Sequence, residues 1–123
     1  MILTVALVSV AGGLGASCRL ILDGLIRTRI TTAYPVGTTI INVTGSLLLG
    51  LVVGLTVNQV LPEQWHLILG TGFLGGYTTF STASFETVRL LQARRYGVAL
   101  ANGLGMLVLS LLAAALGLWL GSL

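Results

Sequence analysis

Charged residues are almost absent from four long apolar stretches of this chain, and this pattern restricts the fold more than any other feature. Of 123 residues, 55% are hydrophobic and 7% are charged. The charged residues fall mainly between the apolar runs, which are long enough to cross a hydrocarbon core of about 30 Å. The sequence therefore predicts an all-α membrane protein in which residues 1–123 form a single four-helix transmembrane domain.

The four predicted helices are joined by short connections. The second is expected to open at Pro35, because proline is well tolerated at the first position of a helix. Trp65 and Trp119 are typical interfacial anchors at span ends. The segment 23–34 is expected to be a loop or a short interfacial helix. The predicted spans cover approximately residues 3–22, 35–57, 65–91 and 98–120.

A run of glycine and hydroxyl residues interrupts the third predicted span. The run reads GFLGGYTTFST at positions 72–82. Glycine and threonine weaken helices, and an interruption frees backbone groups from their i→i−4 partners. In a bilayer those groups must be satisfied by protein, water or an ion. We therefore expect helix 3 to be broken near Gly75 to Thr79, inside a bundle and beside a cavity or an ion site.

Small residues cluster on the first two helices, where they would let neighbouring helices approach closely. In helix 1 the patch consists of Gly12, Gly13, Gly15, Ala16 and Ser17. In helix 2 the ridge consists of Ser46, Gly50 and Gly54. Both predict tight packing within the membrane.

Neutral polar residues recur at helical spacing. Thr38, Asn42 and Ser46 share one face of helix 2, and Asn102 and Ser110 share one face of helix 4. An amide in mid-membrane is costly unless it is hydrogen-bonded. Asn42 is therefore either a helix–helix hydrogen-bonding residue or a donor that faces a wet pathway.

The remaining polar residues support fewer functions. Arg19 either extends to the membrane surface or lines a polar vestibule. Glu86 is either a solvated or arginine-paired acid at a helix end, or a vestibule residue. Cys18 and His66 are read as packing and interfacial residues. No basic face for nucleic acid and no enzyme or metal-ligand constellation is evident.

The neutral interior groups suit an ion pathway. Amides and hydroxyls can donate hydrogen bonds to an anion, and the edge of a phenyl ring can also face one. The helix that resumes after the break presents a positive N-terminal end. Carbonyls released before the break can coordinate a small cation. These residues therefore allow an ion pathway with a structural ion, without naming the ion.

The run GGYTTFST at positions 75–82, followed by Ser84 and Glu86, closely resembles the signature of the Fluc (CrcB-type) fluoride channels. Three weaker pieces agree with it in order along the chain. They are GGLGA at 12–16 with Arg19, Gly37-Thr38 through Asn42 with Gly45-Ser46, and the spacing of Asn102 and Ser110. The resemblance extends over essentially the whole chain.

The resemblance implies a fluoride-selective channel that gives passive F⁻ efflux from the cytoplasm across the inner membrane. It implies an antiparallel, dual-topology dimer that encloses two pores. It also implies a structural Na⁺ at the dimer centre, held by the backbone carbonyls of Gly75 and Thr78. The partners would be fluoride, a second subunit and membrane lipid, with no nucleic acid.

The implied anion path has its pore asparagine at Asn42 and its first pore phenylalanine at Phe80. Two departures from the family pattern stand out: Met106 where the polar track often has a hydroxyl, and Ala83 where a second phenylalanine often lies. Phe85 lies on another helix face and does not replace that ring. The other path residues are Thr38, Ser81, Thr82, Asn102 and Ser110, with Arg19 and Glu86 at a vestibule.

Alternative functions remain open on the residues alone. A small proton-coupled cation or drug exporter would need an ionisable residue deep in a span, and helices 1, 2 and 4 have no central carboxylate. A non-transporting four-helix membrane adaptor is the other alternative. All arginines lie on or lean toward one predicted side of the membrane. This bias leaves an antiparallel homodimer, which we favour, or a pair with an oppositely biased homologue.

Overall fold

The computed structural model describes residues 1–32 and 34–123, and all regular structure in these residues is helical. The α-helices are α1 (Ile2–Arg29), α2 (Val36–Val57), α3 (Glu63–Trp65), α4 (Gly75–Tyr77), α5 (Ser81–Gln92), α6 (Tyr96–Leu100) and α7 (Met106–Gly121). Wider π-helical turns, His66–Leu74 and Ala101–Gly105, join α3 to α4 and α6 to α7.

Three helices are long and apolar enough to cross a membrane. They are Ile2–Arg29, Val36–Val57 and Tyr96–Gly121. The region between the last two is helical over residues 63–77 and again in α5, and both pieces are shorter than the roughly 20 residues that a single span requires. The all-α membrane class is thus confirmed, together with three of the predicted spans.

Helix α1 is longer than the sequence suggested. The prediction of a loop or short interfacial helix over 23–34 was wrong for its first part, since α1 continues unbroken to Arg29. Residue 33 of that segment lies outside the described residues. Asp23 and Arg27 form an i,i+4 ion pair, and basic residues in the last turn favour the negative end of the helix dipole. These two effects favour the extra turns.

The helix break falls later than expected, at residues 78–80. Gly75 and Gly76, predicted to start the interruption, are helical in α4. Gly76 is needed for close packing: a Cβ there would overlap the Gly12 carbonyl oxygen. The backbone leaves the helix at Thr78, which has φ −81° and ψ 161°.

Two glycine-lined seams hold the helices together. Helices α2 and α7 approach so closely that a Cβ on Gly50 would overlap the Ala114 carbonyl oxygen, and one on Gly117 that of Leu47. A Cβ on Gly15 of α1 would overlap the Phe73 carbonyl oxygen. The predicted close packing at the small-residue clusters is confirmed at these positions, where backbone meets backbone.

A compact cluster of Ile41, Leu74 and Tyr77 fills the space between α2 and the helical piece before the break. The Tyr77 hydroxyl lies 3.0 Å from Thr44 Oγ1, and its ring stacks on Phe73 with centroids 6.2 Å apart. This cluster fixes the end of α4 against α2, and thereby places the break beside Asn42.

Candidate ion pathway

The side chain of Asn42 clamps the break in the third helical region. Its Oδ1 accepts a hydrogen bond from the Thr79 backbone N–H, and its Nδ2 donates to the Thr79 carbonyl oxygen, both at 2.8 Å. The residue is buried, with 9% of its surface exposed. Asn42 therefore replaces the helical partners that Thr79 loses at the break. The helix–helix role considered from the sequence is present, in the form of a side chain that binds backbone.

The two carbonyls predicted to bind Na⁺ lose their helical donors at this break. In a continuous helix the Thr79 N–H would bond the Gly75 carbonyl, but it donates to Asn42 instead. Likewise the Thr82 N–H, which would bond the Thr78 carbonyl, donates to Thr79 Oγ1 at 3.1 Å. Among the described residues no donor reaches either carbonyl. Both oxygens are available to an ion or to a partner.

A cavity of about 620 Å³ opens beside the break and collects many of the predicted path residues. Of the predicted set, the cavity is lined by Asn42, Gly75, Thr78, Phe80, Asn102 and Ser110. None of the described residues that line it is charged. The structure thus brings amide, hydroxyl and carbonyl groups from three helical regions to one neutral space.

Met106 lines the cavity and contacts the Asn42 amide. Its Sδ is 3.2 Å from Asn42 Nδ2, and the residue is 5% exposed. A thioether is a weak acceptor, so this second bond of the Asn42 amide is the one most easily exchanged for another acceptor. Met106 therefore occupies the position at which an anion would meet a free Asn42 donor.

Asn102 is held by α5. Its Nδ2 donates to Thr87 Oγ1 at 2.7 Å, while its buried Oδ1 has no partner among the described residues. The sequence did not single out Thr87. Its spacing of four residues from Ala83 along α5 would have placed the two on one helix face.

The two phenylalanines of this region differ in their surroundings. Phe80 lines the cavity and is 87% exposed on the surface of the single chain. Phe85 is 62% exposed and lies under the Arg89 guanidinium, whose carbon is 5.9 Å from the ring centroid. The ring of Phe80 thus has little contact within its own chain, whereas Phe85 is engaged by a cation.

Not all predicted path residues reach the cavity. Thr38 is buried and hydrogen-bonds Glu86, with Oγ1 to Oε1 at 2.5 Å. Ser81 is exposed and lies 3.4 Å from Thr79 Oγ1, and Thr82 contributes its backbone N–H to the break. None of these three residues lines the cavity.

Arg19 points inward toward the break. Its Nε donates to the Gly76 carbonyl oxygen at 3.3 Å, and the residue is half-buried. The positive charge of Arg19 therefore lies beside Gly76, the residue that follows Gly75. Arg19 thus contacts the helical piece before the break, and its vestibule role stays a prediction.

Charged residues meet near the start of α2. Glu86 Oε2 lies 3.5 Å from Arg27 Nη2, and Arg27 Nε lies 3.0 Å from Asp23 Oδ2. A second cavity, of about 340 Å³, is bordered by these three residues together with Arg89 and Arg95. Sequence reasoning gave Asp23 and Arg27 no role, because it ended helix 1 before them. The i,i+4 spacing of opposite charges was the available signal.

Comparison with known proteins identifies the relationship. Residues 6–118 match the family described as "CrcB-like protein, Camphor Resistance (CrcB)". A protein of Leifsonia xyli subsp. xyli named fluoride-specific ion channel FluC 1 is 60% identical over 121 residues, which cover 98% of this chain and 88% of that protein.

Two further relatives agree. The FluC 2 protein of Cutibacterium acnes is 46% identical, with 98% of both chains covered. The FluC 3 protein of Bifidobacterium longum is 46% identical and covers 90% of this chain and 92% of its own. Both carry the name fluoride-specific ion channel. The chain is a multi-pass membrane protein and belongs to the CrcB-like family.

Proposed function

We propose that this chain is a fluoride channel that lets F⁻ leave the cytoplasm passively. The observation that carries the proposal is the neutral, donor-lined cavity at a helix break, in a chain up to 60% identical to proteins named fluoride-specific ion channels. A small anion that loses its water needs hydrogen-bond donors, and the Asn42 amide can supply one by giving up the Met106 thioether. Neutral donors bind the anion without holding it so tightly that it cannot leave.

The helical region 63–92 is proposed to complete a fourth span. Its two pieces are separated by residues 78–80, where Asn42 binds both backbone groups of Thr79 and the Thr79 hydroxyl accepts a hydrogen bond from the Thr82 N–H. Irregular backbone is tolerated at membrane depth where protein satisfies it or where it lines a cavity. The interrupted region is therefore compatible with a crossing.

The chain is proposed to act as an antiparallel homodimer. Phe80 and Gly75 are exposed on the single chain, and both line the cavity. A second copy would cover all three. Single cysteines placed near Arg94 should react from both sides of the membrane in cells that express this chain alone; reaction from one side only would favour pairing with a homologue.

A structural Na⁺ is proposed at the carbonyls of Gly75 and Thr78. Carbonyl oxygens are hard ligands suited to a small alkali cation, and both have lost their helical donors. One chain offers two such oxygens, so a second copy would supply the others. When bound, the ion would add a fixed positive charge and join the two subunits.

The proposal is tested by efflux from liposomes that contain purified protein. We expect F⁻ to leave at a rate far above that of Cl⁻, with no dependence on an imposed proton gradient. Flux driven by the proton gradient would instead favour the exporter. A folded, correctly inserted protein without any anion flux would favour the membrane adaptor.

A further inference from the structure

The acid Glu86 is fixed in place by residues of two other helices. Thr38 of α2 donates to its Oε1, and Arg27 of α1 approaches its Oε2 at 3.5 Å. The Glu86 side chain is 15% exposed, whereas that of Arg27 is 61% exposed. Both carboxylate oxygens are thus engaged, one by a hydroxyl and one by a cation.

Asp23 sets the position of Arg27. Its Oδ2 lies 3.0 Å from Arg27 Nε, one turn earlier on α1. Its other oxygen, Oδ1, is buried against Gly37 at the start of α2 and has no partner among the described residues. Asp23 therefore holds the guanidinium by Nε and leaves Nη2 directed at Glu86.

Glu86 stands beside the face of α2 that leads to the neutral cavity. Thr38, its partner, precedes Asn42 by one helical turn on the same face. Thr87, the next residue after Glu86, lines the neutral cavity, while Glu86 itself borders the arginine-rich one. An uncompensated carboxylate at this boundary would repel an anion that moves between the two spaces.

We infer that Arg27 is a positioning residue for anion conduction: it neutralises Glu86 and holds it against Thr38, so that F⁻ can pass the mouth of the neutral cavity. The inference rests on the proposed fluoride path. Within the described residues, Arg27 is the one cation within ion-pair distance of Glu86. Arg89 also borders the same cavity but makes no such pair.

The test is F⁻ efflux from liposomes with the variants Arg27→Gln, Arg27→Lys and Arg29→Gln. Arg27→Gln should reduce the flux about fivefold to tenfold, the size expected for one uncompensated unit charge near the protein surface. Arg27→Lys should recover most of the loss. Arg29→Gln removes the same charge from the same helix end, where Arg29 makes no ion pair within the described chain, and should leave the flux unchanged.

The double variant separates this role from a general structural one. In a Glu86→Gln background, adding Arg27→Gln should change the flux by less than twofold, because residue 86 then carries no charge for Arg27 to neutralise; Asp23, the other partner of Arg27, is present in both variants and cancels from the comparison. A full fivefold loss in that background would overturn the inference, as would equal losses from Arg27→Gln and Arg29→Gln. If Arg27→Gln cannot be purified, the Glu86→Gln pair still decides. Failure of the proposed function itself would appear separately, as absence of F⁻ flux in the unmodified protein.

Discussion

The neutral cavity at the helix break and the arginine-rich end of the bundle are one helical turn apart on α2, yet they satisfy polar groups in different ways. Asn42 binds backbone groups and a thioether, all uncharged. Thr38, four residues earlier, binds a carboxylate that is paired with Arg27. The difference shows that polar residues one helical turn apart on the same face can have uncharged partners at one position and a charged partner at the next.

The uncharged lining of the neutral cavity has a physical reason. A buried charge without a partner is far more costly than a buried amide that keeps its hydrogen bonds. The cavity residues therefore supply donors without fixed charge, and the charges collect where Arg27 is 61% exposed and water can screen them. Experiments that affect one region and not the other test this division.

Removal of Na⁺ should have the largest effect. Prolonged exchange of Na⁺ for a large organic cation should abolish F⁻ currents, because the free carbonyls at the break would lose their ligand. When Na⁺ is present, F⁻ should cross without any accompanying Na⁺ flux. The measurement is F⁻ current in planar bilayers before and after exchange, and currents that survive exhaustive exchange would contradict the site.

Asn42→Ala should come next. It leaves the Thr79 N–H and carbonyl without their side-chain partner and removes the donor from the cavity. We expect F⁻ flux to fall by about tenfold to 100-fold, the equivalent of one or two hydrogen bonds.

The matched control is Asn58→Ala. Asn58 also donates to carbonyls, those of Gly54 and Gly121, but it lies outside the cavity lining. F⁻ flux through the Asn58→Ala variant should stay within about twofold of that of the unmodified protein, since no donor of the proposed anion path is removed. Equal losses from the two variants would mean that Asn42 serves the fold alone.

The sequence predicted the composition of this site better than its detailed geometry. The helical class, the neutral cavity residues Asn42, Asn102 and Ser110, and the glycine seams followed from spacing and from the cost of polar groups in lipid. The exact break did not follow, because it depends on which backbone group Asn42 captures from another helix. Local composition favoured Gly75 and Gly76, whereas tertiary contacts keep both helical.

The sequence did not predict the ion pairs at the arginine-rich end of the bundle. Ending helix 1 before Asp23 removed the i,i+4 relation to Arg27 from consideration. The pairing of Arg27 with Glu86 is a long-range contact between α1 and α5, which single-chain periodicity does not specify. The contacts of Glu86 with Arg27 and Thr38 therefore required the three-dimensional structure.

Replacing each of the two phenylalanines should distinguish the neutral cavity from the charged end, with a smaller effect on F⁻ flux. Phe80→Ile should reduce F⁻ flux about threefold to tenfold, because the aromatic ring that lines the cavity is lost. Phe85→Ile is the matched control, since Phe85 is also exposed but contacts Arg89 at the charged end. Its flux should change by less than about twofold, consistent with the small contribution of an exposed cation–π contact. Equal tolerance of both replacements in the same efflux assay would contradict the assignment of Phe80.

Met106 gives the smallest and most specific prediction. Its thioether occupies one N–H of Asn42 and interrupts the polar face between Asn102 and Ser110. Met106→Ser should add a hydroxyl donor there and raise F⁻ flux about twofold to threefold, in line with a single weak hydrogen bond. Met106→Leu preserves volume and removes the sulfur, so it should leave flux near that of the unmodified protein if the side chain acts by occupying space. A rise with Leu equal to that with Ser would show that the thioether itself restrains Asn42. A fall with Ser, measured on protein that remains folded, would mean that the contact between the Met106 thioether and Asn42 assists conduction and that further donors in the neutral cavity do not raise the flux.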